Sequence, residues 1–287
     1  MEFERFVEDI KTNNWNVFGV EVYEKGKLTH SYGDTTENLH FIYSATKTVV
    51  SIAVGILYDE GKIDLKRSIL DYLPKKNVEK MSEEQKRSFS LITVERLLTM
   101  SVEDLPFVAE GDSFIDYALS CKLSDPSKRG FNYSNINTYL VGVALSEIIG
   151  GDLGLFIENR IFKPLGIDRY EYGRCPEGYF YGASRMSLTV NGLSRIGLLL
   201  YNNGVYNGLR IISEEYVKLA TSIQQMNREG GYGYFIWKYK DGFSINGKLK
   251  QKCYVLPERG IVITYLSNIE DESCTLKESM EKWLLGE

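Results

Sequence analysis

The pattern of apolar positions predicts a β-hairpin near the start of the chain and a buried helix after it. Val17–Tyr23 and Leu28–Tyr32 are rich in β-branched and aromatic residues, and Glu24–Lys27 supplies a turn between them. From Ser44 to Glu60 the apolar residues surround the helical wheel instead of forming one stripe. A helix without a polar face is stable inside a core, so this segment is predicted to be central and buried.

Residues 63–203 have a mainly helical pattern, and strand-like patterns return after them. The clearest helices are Thr93–Met100, Thr138–Ile149, Leu155–Phe162 and Leu188–Leu200. A short helix at Ser213–Ala220 is followed by strand patterns at Tyr232–Tyr239, Lys250–Leu256 and Ile261–Ser267 and by an amphipathic helix at Lys277–Leu285. Strands therefore lie toward both ends of the chain, with a helical block between them.

This order of elements predicts an α/β (α+β) fold. Strands that are distant in sequence most simply form one antiparallel sheet, with the first and last of the predicted helices packed on it. We expect residues 1–62 and 205–287 to form a lobe around this sheet, and residues 63–204 to form an inserted all-helical lobe. The two lobes would make one catalytic unit, with the site in the cleft between them.

Charge and hydropathy narrow the classes of function. The net charge of −5 is not that of a nucleic-acid-binding protein, so we expect no nucleic-acid partner. No basic stretch leads into an apolar run at the N-terminus, and the apolar stretches Val49–Leu57 and Ile196–Tyr201 are shorter than the ~20 residues of a membrane span. We therefore predict a cytoplasmic protein without a membrane span, unless a leader peptide has been removed; the oligomeric state stays open.

The cysteines and histidines exclude several common active sites. No metal-ligand spacing occurs, so we expect neither a metal nor an organic cofactor, and we interpret as buried thiols Cys121, Cys175, Cys253 and Cys274. The two histidines are His30 and His40, and no Gly-x-Ser-x-Gly elbow is present. A hydrolase with this sequence would need a group other than histidine to move the proton.

Ser44-Ala45-Thr46-Lys47 supplies such a group. Ser44 stands where a probable strand, Phe41–Tyr43, turns into the buried helix, and Lys47 follows three residues later on the same helical face. A serine hydroxyl needs a base to attack a carbonyl, and a desolvated lysine loses its proton more easily than an exposed one. The alternative is an ordinary serine N-cap followed by a lysine whose ammonium reaches solvent.

Tyr133-Ser134-Asn135 is a second candidate, just before the Thr138–Ile149 helix. A tyrosine hydroxyl can relay a proton, and an amide two residues later can orient a substrate carbonyl. Taken alone this motif is weak, because the chain has twenty tyrosines and most of them must serve packing.

Together these motifs resemble the class C β-lactamase-like serine hydrolases, a superfamily that includes penicillin-binding proteins, D-alanyl-D-alanine peptidases and esterases. The resemblance extends from about Val17 to Asn268 and is carried by segments such as FIYSATKTVVSIAVGILYDEGKIDL, FNYSNINTYLVGVALSEIIG and YVLPERGIVITYLSN. It implies an antiparallel sheet flanked by helices with an inserted helical lobe. It further implies that Ser44 is the acylated nucleophile, Lys47 its partner, Tyr133 the proton shuttle and Asn135 a substrate-orienting amide.

The third motif of that superfamily, a cation or histidine followed by any residue and glycine, is altered in this chain. The best match is Ile245-Asn246-Gly247, with Gln251 where some esterase-like members carry a Gly-Gly-Gln motif. We take Asn246 and Gly247 as substrate-binding candidates. Because Asn246 is neutral, we expect weaker recognition of a substrate carboxylate and a preference for uncharged acyl groups.

Three lysines follow this motif, and a strand pattern would place Lys248, Lys250 and Lys252 on one face. We interpret that face as a solvated sheet edge. The segment Gly242–Lys248 partly matches a phosphate-binding loop, but Leu249 stands where Ser or Thr is needed and a strand follows, so no nucleotide site is predicted.

The sequence therefore predicts a serine hydrolase that works through an acyl-enzyme on Ser44, with Lys47 and Tyr133 as proton-transfer groups, and that acts on a small ester, amide or short peptide. One alternative is a true β-lactamase or D-alanyl-D-alanine peptidase. Another is a weakly active penicillin-binding-like sensor or scaffold, which the altered third motif keeps open. A helical interaction protein would require all of these matches to be accidental.

Overall fold

A computed structural model describes all 287 residues, and its central feature is a six-stranded antiparallel sheet. The eleven strands of the chain are β1 (Val17–Glu24), β2 (Lys27–Gly33), β3 (His40–Phe41), β4 (Tyr170–Tyr172), β5 (Met186–Leu188), β6 (Val205–Tyr206), β7 (Leu209–Arg210), β8 (Trp237–Tyr239), β9 (Gly242–Gly247), β10 (Gln251–Leu256) and β11 (Ile261–Ser267). The large sheet has the order β2-β1-β11-β10-β9-β8, and smaller sheets are formed by β3-β5-β4 and β6-β7. Strands from the two ends of the chain thus meet where β1 pairs with β11.

Helices connect and cover these strands. They are α1 (Phe3–Thr12), α2 (Thr46–Asp59), α3 (Lys75–Val78), α4 (Glu83–Ser90), α5 (Val94–Leu98), α6 (Phe114–Ser120), α7 (Asn135–Ile149), α8 (Leu153–Ile157), α9 (Lys163–Leu165), α10 (Val190–Tyr201), α11 (Glu214–Thr221) and α12 (Leu276–Met280). Single 3₁₀ turns occupy Tyr43–Ala45, Ile69–Tyr72 and Pro257–Arg259, and π turns occupy Glu158–Phe162 and Glu281–Leu285.

The large sheet is covered on both faces. On one face α10 packs against β1, β10 and β11, and on the other a smaller core joins the sheet to α1 and α12. Successive residues of β10 show the alternation of a strand buried on both sides: Cys253 belongs to the larger core and Tyr254 to the smaller one. The predicted fold class, an antiparallel sheet flanked by helices, is confirmed. The division into two lobes stays a prediction.

The helix α2 forms the centre of the larger core. All its residues from Thr46 to Leu57 are buried, as the apolar pattern around the wheel predicts. At Gly55 a Cβ atom would lie 2.5 Å from the ring of Tyr216, so glycine allows α11 to pack closely. The helix begins at Thr46, and Ser44 lies in the 3₁₀ turn before it rather than in the helix itself.

Three predicted strands were wrong in extent. Of Phe41–Tyr43 only Phe41 belongs to a strand, because Tyr43 has a left-handed φ of 47°. Only Trp237–Tyr239 of the predicted strand Tyr232–Tyr239 is a strand, because Phe235 adopts a left-handed φ of 58° and the chain turns back so that Tyr232 bridges Trp237. The β10 strand begins at Gln251, because the two residues before it have φ values of 60° and 64° and form a turn. The helix α1 and the small strands of residues 170–210 were not predicted.

The predicted solvated lysine edge was also wrong. The edges of the large sheet are β2 and β8, whereas β10 lies between β9 and β11. Lys248 is exposed in the turn before β10, but Lys252 is half-buried within the sheet. The central position of β10 results from its pairing with β9 and β11, and the local pattern of lysines does not predict that pairing.

No single helix is long and apolar enough to cross a membrane. One pair of helical segments, Asn135–Ile149 and Leu153–Leu165, passes the same test of length and composition, with a bend of 81° between its members.

The amide of Gln251 closes the start of the β10–β11 pairing. Gln251 is 1% exposed, and its Nε2 donates to Ser267 O at 2.5 Å while Ser267 N donates to its Oε1 at 2.9 Å. Both groups of one backbone residue are therefore satisfied by one side chain. The side chain of Gln251, which the sequence matched to a Gly-Gly-Gln motif, therefore joins two strands here.

We expect Gln251→Leu to lower the free energy of unfolding by about 2–4 kcal/mol, because it leaves a buried N–H and a buried carbonyl without partners. Urea denaturation measures this. The exposed Gln224→Leu serves as the control, with an expected change within about 0.5 kcal/mol. Equal stability of the two variants would contradict the structural role of Gln251.

Candidate active site

Ser44 occupies a turn that the surrounding elements hold in place. Tyr43 adopts a left-handed φ of 47°, which ends β3 and directs the chain into α2. The N–H of Ile42 donates to Met186 O at 2.9 Å, so β5 anchors the turn from the other side. Ser44 itself is half-buried, which leaves its hydroxyl accessible at the N-terminal end of a buried helix.

Lys47 lies one helical turn below Ser44 and is 1% exposed. Its Nζ lies 3.1 Å from Ser44 Oγ, 2.7 Å from Asn135 Oδ1 and 2.6 Å from Ala183 O. Burial lowers the pKa of Lys47 to about 7, and no carboxylate opposes that shift. The neutral form of Lys47 is therefore far more populated at neutral pH than that of an exposed lysine.

The oxygen atoms around Nζ orient the neutral form. Asn135 Oδ1 and Ala183 O can only accept, so they take the two hydrogens of a neutral amine. The third position around the nitrogen, occupied by its lone pair, then faces the Ser44 hydroxyl. Deprotonated Lys47 is consequently placed to receive the proton of Ser44.

Tyr133 covers the same lysine. Its ring centroid is 5.1 Å from Lys47 Nζ, and it immediately precedes Ser134, the N-cap residue of α7. Burial raises the pKa of Tyr133 to about 12; a hydrogen bond with Ser44 opposes the shift, and the charge of Glu229 adds to it. The phenol therefore stays protonated at neutral pH, beside the hydroxyl of Ser44.

Asn135 is the first residue of α7 and is 7% exposed. Its carbonyl oxygen contacts the lysine, so the amide positions Lys47. The structure thus brings together Ser44, Lys47, Tyr133 and Asn135, from segments almost ninety residues apart. The role of Asn135 in orienting a substrate stays a prediction.

The C-terminal end of β9 approaches the same turn. At Gly247 a Cβ atom would lie 2.2 Å from Ile42 O, so only glycine permits this approach. Asn246 points to the opposite face from the buried Ile245, and its Oδ1 is buried without a hydrogen-bond partner. Neither residue forms a hydrogen bond with Ser44 or Lys47, and their substrate-binding roles stay predictions.

The family model described as Beta-lactamase matches residues 16–278. The chain belongs to the beta-lactamase family. Membership supports a serine hydrolase of amide or ester bonds as the class of this protein.

Solved structures share the fold of this beta-lactamase family member at low sequence identity. A provisionally assigned 6-aminohexanoate-dimer hydrolase from Bacillus anthracis is similar with a TM-score of 0.80 and 20% identity, over 98% of this chain and 80% of that one. A D-stereospecific amidohydrolase from a Streptomyces species has a TM-score of 0.74 and 18% identity, over 99% of each chain. A penicillin-binding protein homologue from Caulobacter crescentus has a TM-score of 0.74 and 15% identity, over 93% and 90%.

Two groups of residues around the site of this family member were not found from the sequence. The first is Lys252, which pairs in register with Asn246 on the neighbouring strand. Burial lowers the pKa of Lys252 to about 8, with the carboxylate of Glu229 opposing the shift. Lys252 lines a cavity of about 490 Å³ together with Lys248 and Lys250. No sequence pattern distinguishes it from the two more accessible lysines.

The second group is aromatic. The ring of Tyr133 lies 5.4 Å from that of Trp237, 6.2 Å from Tyr232, 6.4 Å from Phe107 and 6.5 Å from Phe131, between centroids. These rings come from three separate segments of the chain, so only Phe131 could be associated with Tyr133 from its position in the sequence.

Other candidate groups lie apart from the site. The His30 ring lies 4.9 Å from that of Phe3 at an angle of 33°, and the His40 ring stacks on Phe18 at 3.8 Å. A second Ser-x-x-Lys spacing occurs at Ser279, but that hydroxyl donates to Asp9 Oδ2 at 2.6 Å. The spacing alone is therefore not sufficient to form the lysine environment found at Ser44.

We expect Asn135→Asp to raise the pKa of Lys47 by about one unit or more, because a carboxylate within ~4–6 Å stabilises the ammonium. Lys47 would then stay protonated to higher pH. The rate of labelling by a fluorophosphonate should fall at pH 7 and recover above pH 8. The pH profile of that rate, compared with the exposed control Asn159→Asp, measures the shift. A midpoint unchanged from wild type would show that Lys47 is not the titrating base.

Proposed function

We propose that this protein is a serine hydrolase that cleaves an ester or amide bond through an acyl-enzyme on Ser44. The observation that carries the proposal is Lys47, a buried lysine with no carboxylate partner and with Nζ 3.1 Å from Ser44 Oγ. A buried amine is costly unless it is neutral for part of the time, and a neutral amine beside a hydroxyl is a base. A buried lysine with a purely structural role would be more stable beside a carboxylate, and Lys47 has none.

Acylation begins when neutral Lys47 takes the proton of Ser44, and Oγ forms a bond to the substrate carbonyl carbon. The backbone N–H of Ser44, in the turn before α2, is our candidate donor to the oxyanion. The hydroxyl of Tyr133 gives its proton to the leaving oxygen or nitrogen and recovers one from the Lys47 ammonium. The bond from the carbonyl carbon to the leaving group then breaks, which leaves the acyl group on Ser44.

Deacylation uses the same groups in reverse. Water loses a proton to neutral Lys47 or to the Tyr133–Lys47 pair and attacks the ester carbonyl. The bond to Ser44 Oγ breaks, the oxygen regains its proton, and the free acid leaves. The mechanism uses only side-chain and backbone groups of this chain.

A second candidate function is hydrolysis of a substrate with a carboxylate beside the scissile bond, as in β-lactams and D-alanyl peptides. The observation that favours it is Lys252, which lies beside Asn246 and forms no salt bridge. Against it stands the neutral side chain of Asn246 itself, whose oxygen would not attract an anion. We favour uncharged esters or amides.

The mechanism predicts that Ser44→Ala takes no fluorophosphonate label and hydrolyses no p-nitrophenyl ester. Lys47→Met and Tyr133→Phe should each slow acylation by roughly 10²–10⁴-fold, the usual contribution of a positioned acid or base. Because both groups act on one proton, the double variant should lose much less than the product of the two losses. Intact-mass measurement and stopped-flow kinetics give these rates.

Matched controls test the assignment. Ser279→Ala removes the serine of the second Ser-x-x-Lys spacing and should label like wild type, and so should His30→Ala and His40→Ala. Hydrolysis by Ser44→Ala at the wild-type rate, or loss of turnover in a folded histidine variant, would overturn the proposed mechanism.

The neutral Asn246 predicts that kcat/KM for p-nitrophenyl acetate and butyrate exceeds that for nitrocefin. Without a charge-assisted hydrogen bond, the affinity for a substrate carboxylate should be about ten- to a hundredfold lower. The same comparison in Lys252→Met and in Lys248→Ala shows which of these two lysines, if either, binds the substrate carboxylate. Nitrocefin turnover well above both esters, lost in Lys252→Met or in Lys248→Ala, would instead support the second candidate function.

A further inference from the structure

Phe107 is an exposed aromatic residue beside the proposed proton donor. Of the thirteen phenylalanines only Phe41 and Phe107 are exposed, at 55% and 58%. Phe41 precedes Ser44 by three residues, and the ring of Phe107 stacks on that of Tyr133 at 6.4 Å with an angle of 27° between them. An exposed aromatic ring is unfavourable in water, and the stacking of Phe107 on Tyr133 gives the site an apolar surface that a bound group can cover.

The backbone holds Phe107 in this position. The N–H of Asn135 donates to Phe107 O at 2.8 Å, and the hydroxyl of Ser134 donates to Pro106 O at 2.5 Å. Ser134 and Asn135, which follow Tyr133, thus hold the backbone of Pro106 and Phe107 in place. The neighbouring Val108 is 40% exposed and extends the same apolar surface.

The remaining faces of Tyr133 are covered by protein. Trp237, Tyr232 and Phe131 contact its ring from the interior, and these three rings also contact one another at 4.8–5.9 Å. Tyr232 is buried and Phe131 and Trp237 are half-buried, so Phe107 is the most exposed ring of this group. An apolar group that approached the Tyr133 hydroxyl would lie against Phe107.

In the proposed function, on which this step rests, Tyr133 gives its proton to the leaving atom. The surface beside Tyr133 is consequently the leaving-group side of the site. We propose that Phe107 binds the leaving group of the substrate, and that this group is an uncharged aromatic or bulky alkyl alcohol or amine. An anionic leaving group would lose hydration against this apolar ring, so an uncharged one is favoured.

Two ester series separate the leaving-group side from the acyl side. The first compares benzyl butyrate with 2-methoxyethyl butyrate, which share an acyl group and release alcohols of similar acidity. The second compares p-nitrophenyl phenylacetate with p-nitrophenyl acetate, which share a leaving group. Initial rates at several concentrations give kcat and KM for wild type, Phe107→Ala, Phe107→Leu and the exposed control Leu155→Ala.

We expect wild type to prefer the benzyl ester and Phe107→Ala to reduce that preference about tenfold, with an intermediate effect in Phe107→Leu. The loss should be mainly in KM, the ratio in the acyl series should stay unchanged, and Leu155→Ala should behave like wild type. An unchanged benzyl preference in Phe107→Ala, or a change confined to the acyl series, would overturn the proposal.

Failure of the proposed function gives a different result. A wild-type protein that cleaves none of the four esters and takes no fluorophosphonate label would overturn the hydrolase mechanism and this inference with it. Cleavage of the esters without a benzyl preference would overturn this inference alone.

Discussion

The site depends on one interaction, the burial of the Lys47 amine among oxygen atoms that carry no net charge. In water an amine is almost fully protonated at neutral pH, and inside this core burial lowers the pKa of Lys47 to about 7. A carboxylate in place of Asn135 or of the Ala183 carbonyl would hold the amine as an ammonium. The proposed mechanism therefore requires acceptors that orient Lys47 without stabilising its charge.

The fold provides these acceptors from distant parts of the chain. Asn135 comes from the start of α7, Ala183 from the segment before β5, and Ser44 from the turn before α2. The apolar surroundings of α2 keep water away from the amine, which makes each contact stronger than it would be on the surface. The long apolar helix and the reactive lysine are thus parts of one arrangement.

Charge distribution beyond the lysine bears on the substrate. Tyr133, the proposed proton donor, lies among aromatic rings, whereas Lys252 lines a cavity together with Lys248 and Lys250, and the charge of Glu229 acts on both Tyr133 and Lys252. The site therefore has an apolar side and a cationic side. An uncharged substrate with a bulky leaving group fits the first, and a carboxylate would have to reach the second.

Several features were determined by the sequence itself. The spacing of Ser44 and Lys47 on one helical turn, the apolar wheel around them, and the strands toward both ends of the chain follow from local periodicity. They were sufficient to predict the fold class and to draw attention to Ser44 and Lys47, whereas Tyr133 and Asn135 were weak candidates until the family resemblance was added. The family model matched over residues 16–278 agrees with that fold and class.

Only the tertiary structure decided the environment of these residues. The contact of Lys47 with Ala183 O joins positions 136 residues apart. The ring of Phe107 lies against Tyr133 because the backbone of Phe107 accepts a hydrogen bond from Asn135. Lys252 is half-buried because β10 pairs on both sides, which its own lysine-rich sequence does not indicate. Strand pairing and burial depend on contacts between distant segments. These contacts set the pKa values and the lining of the site, and local sequence patterns do not predict them.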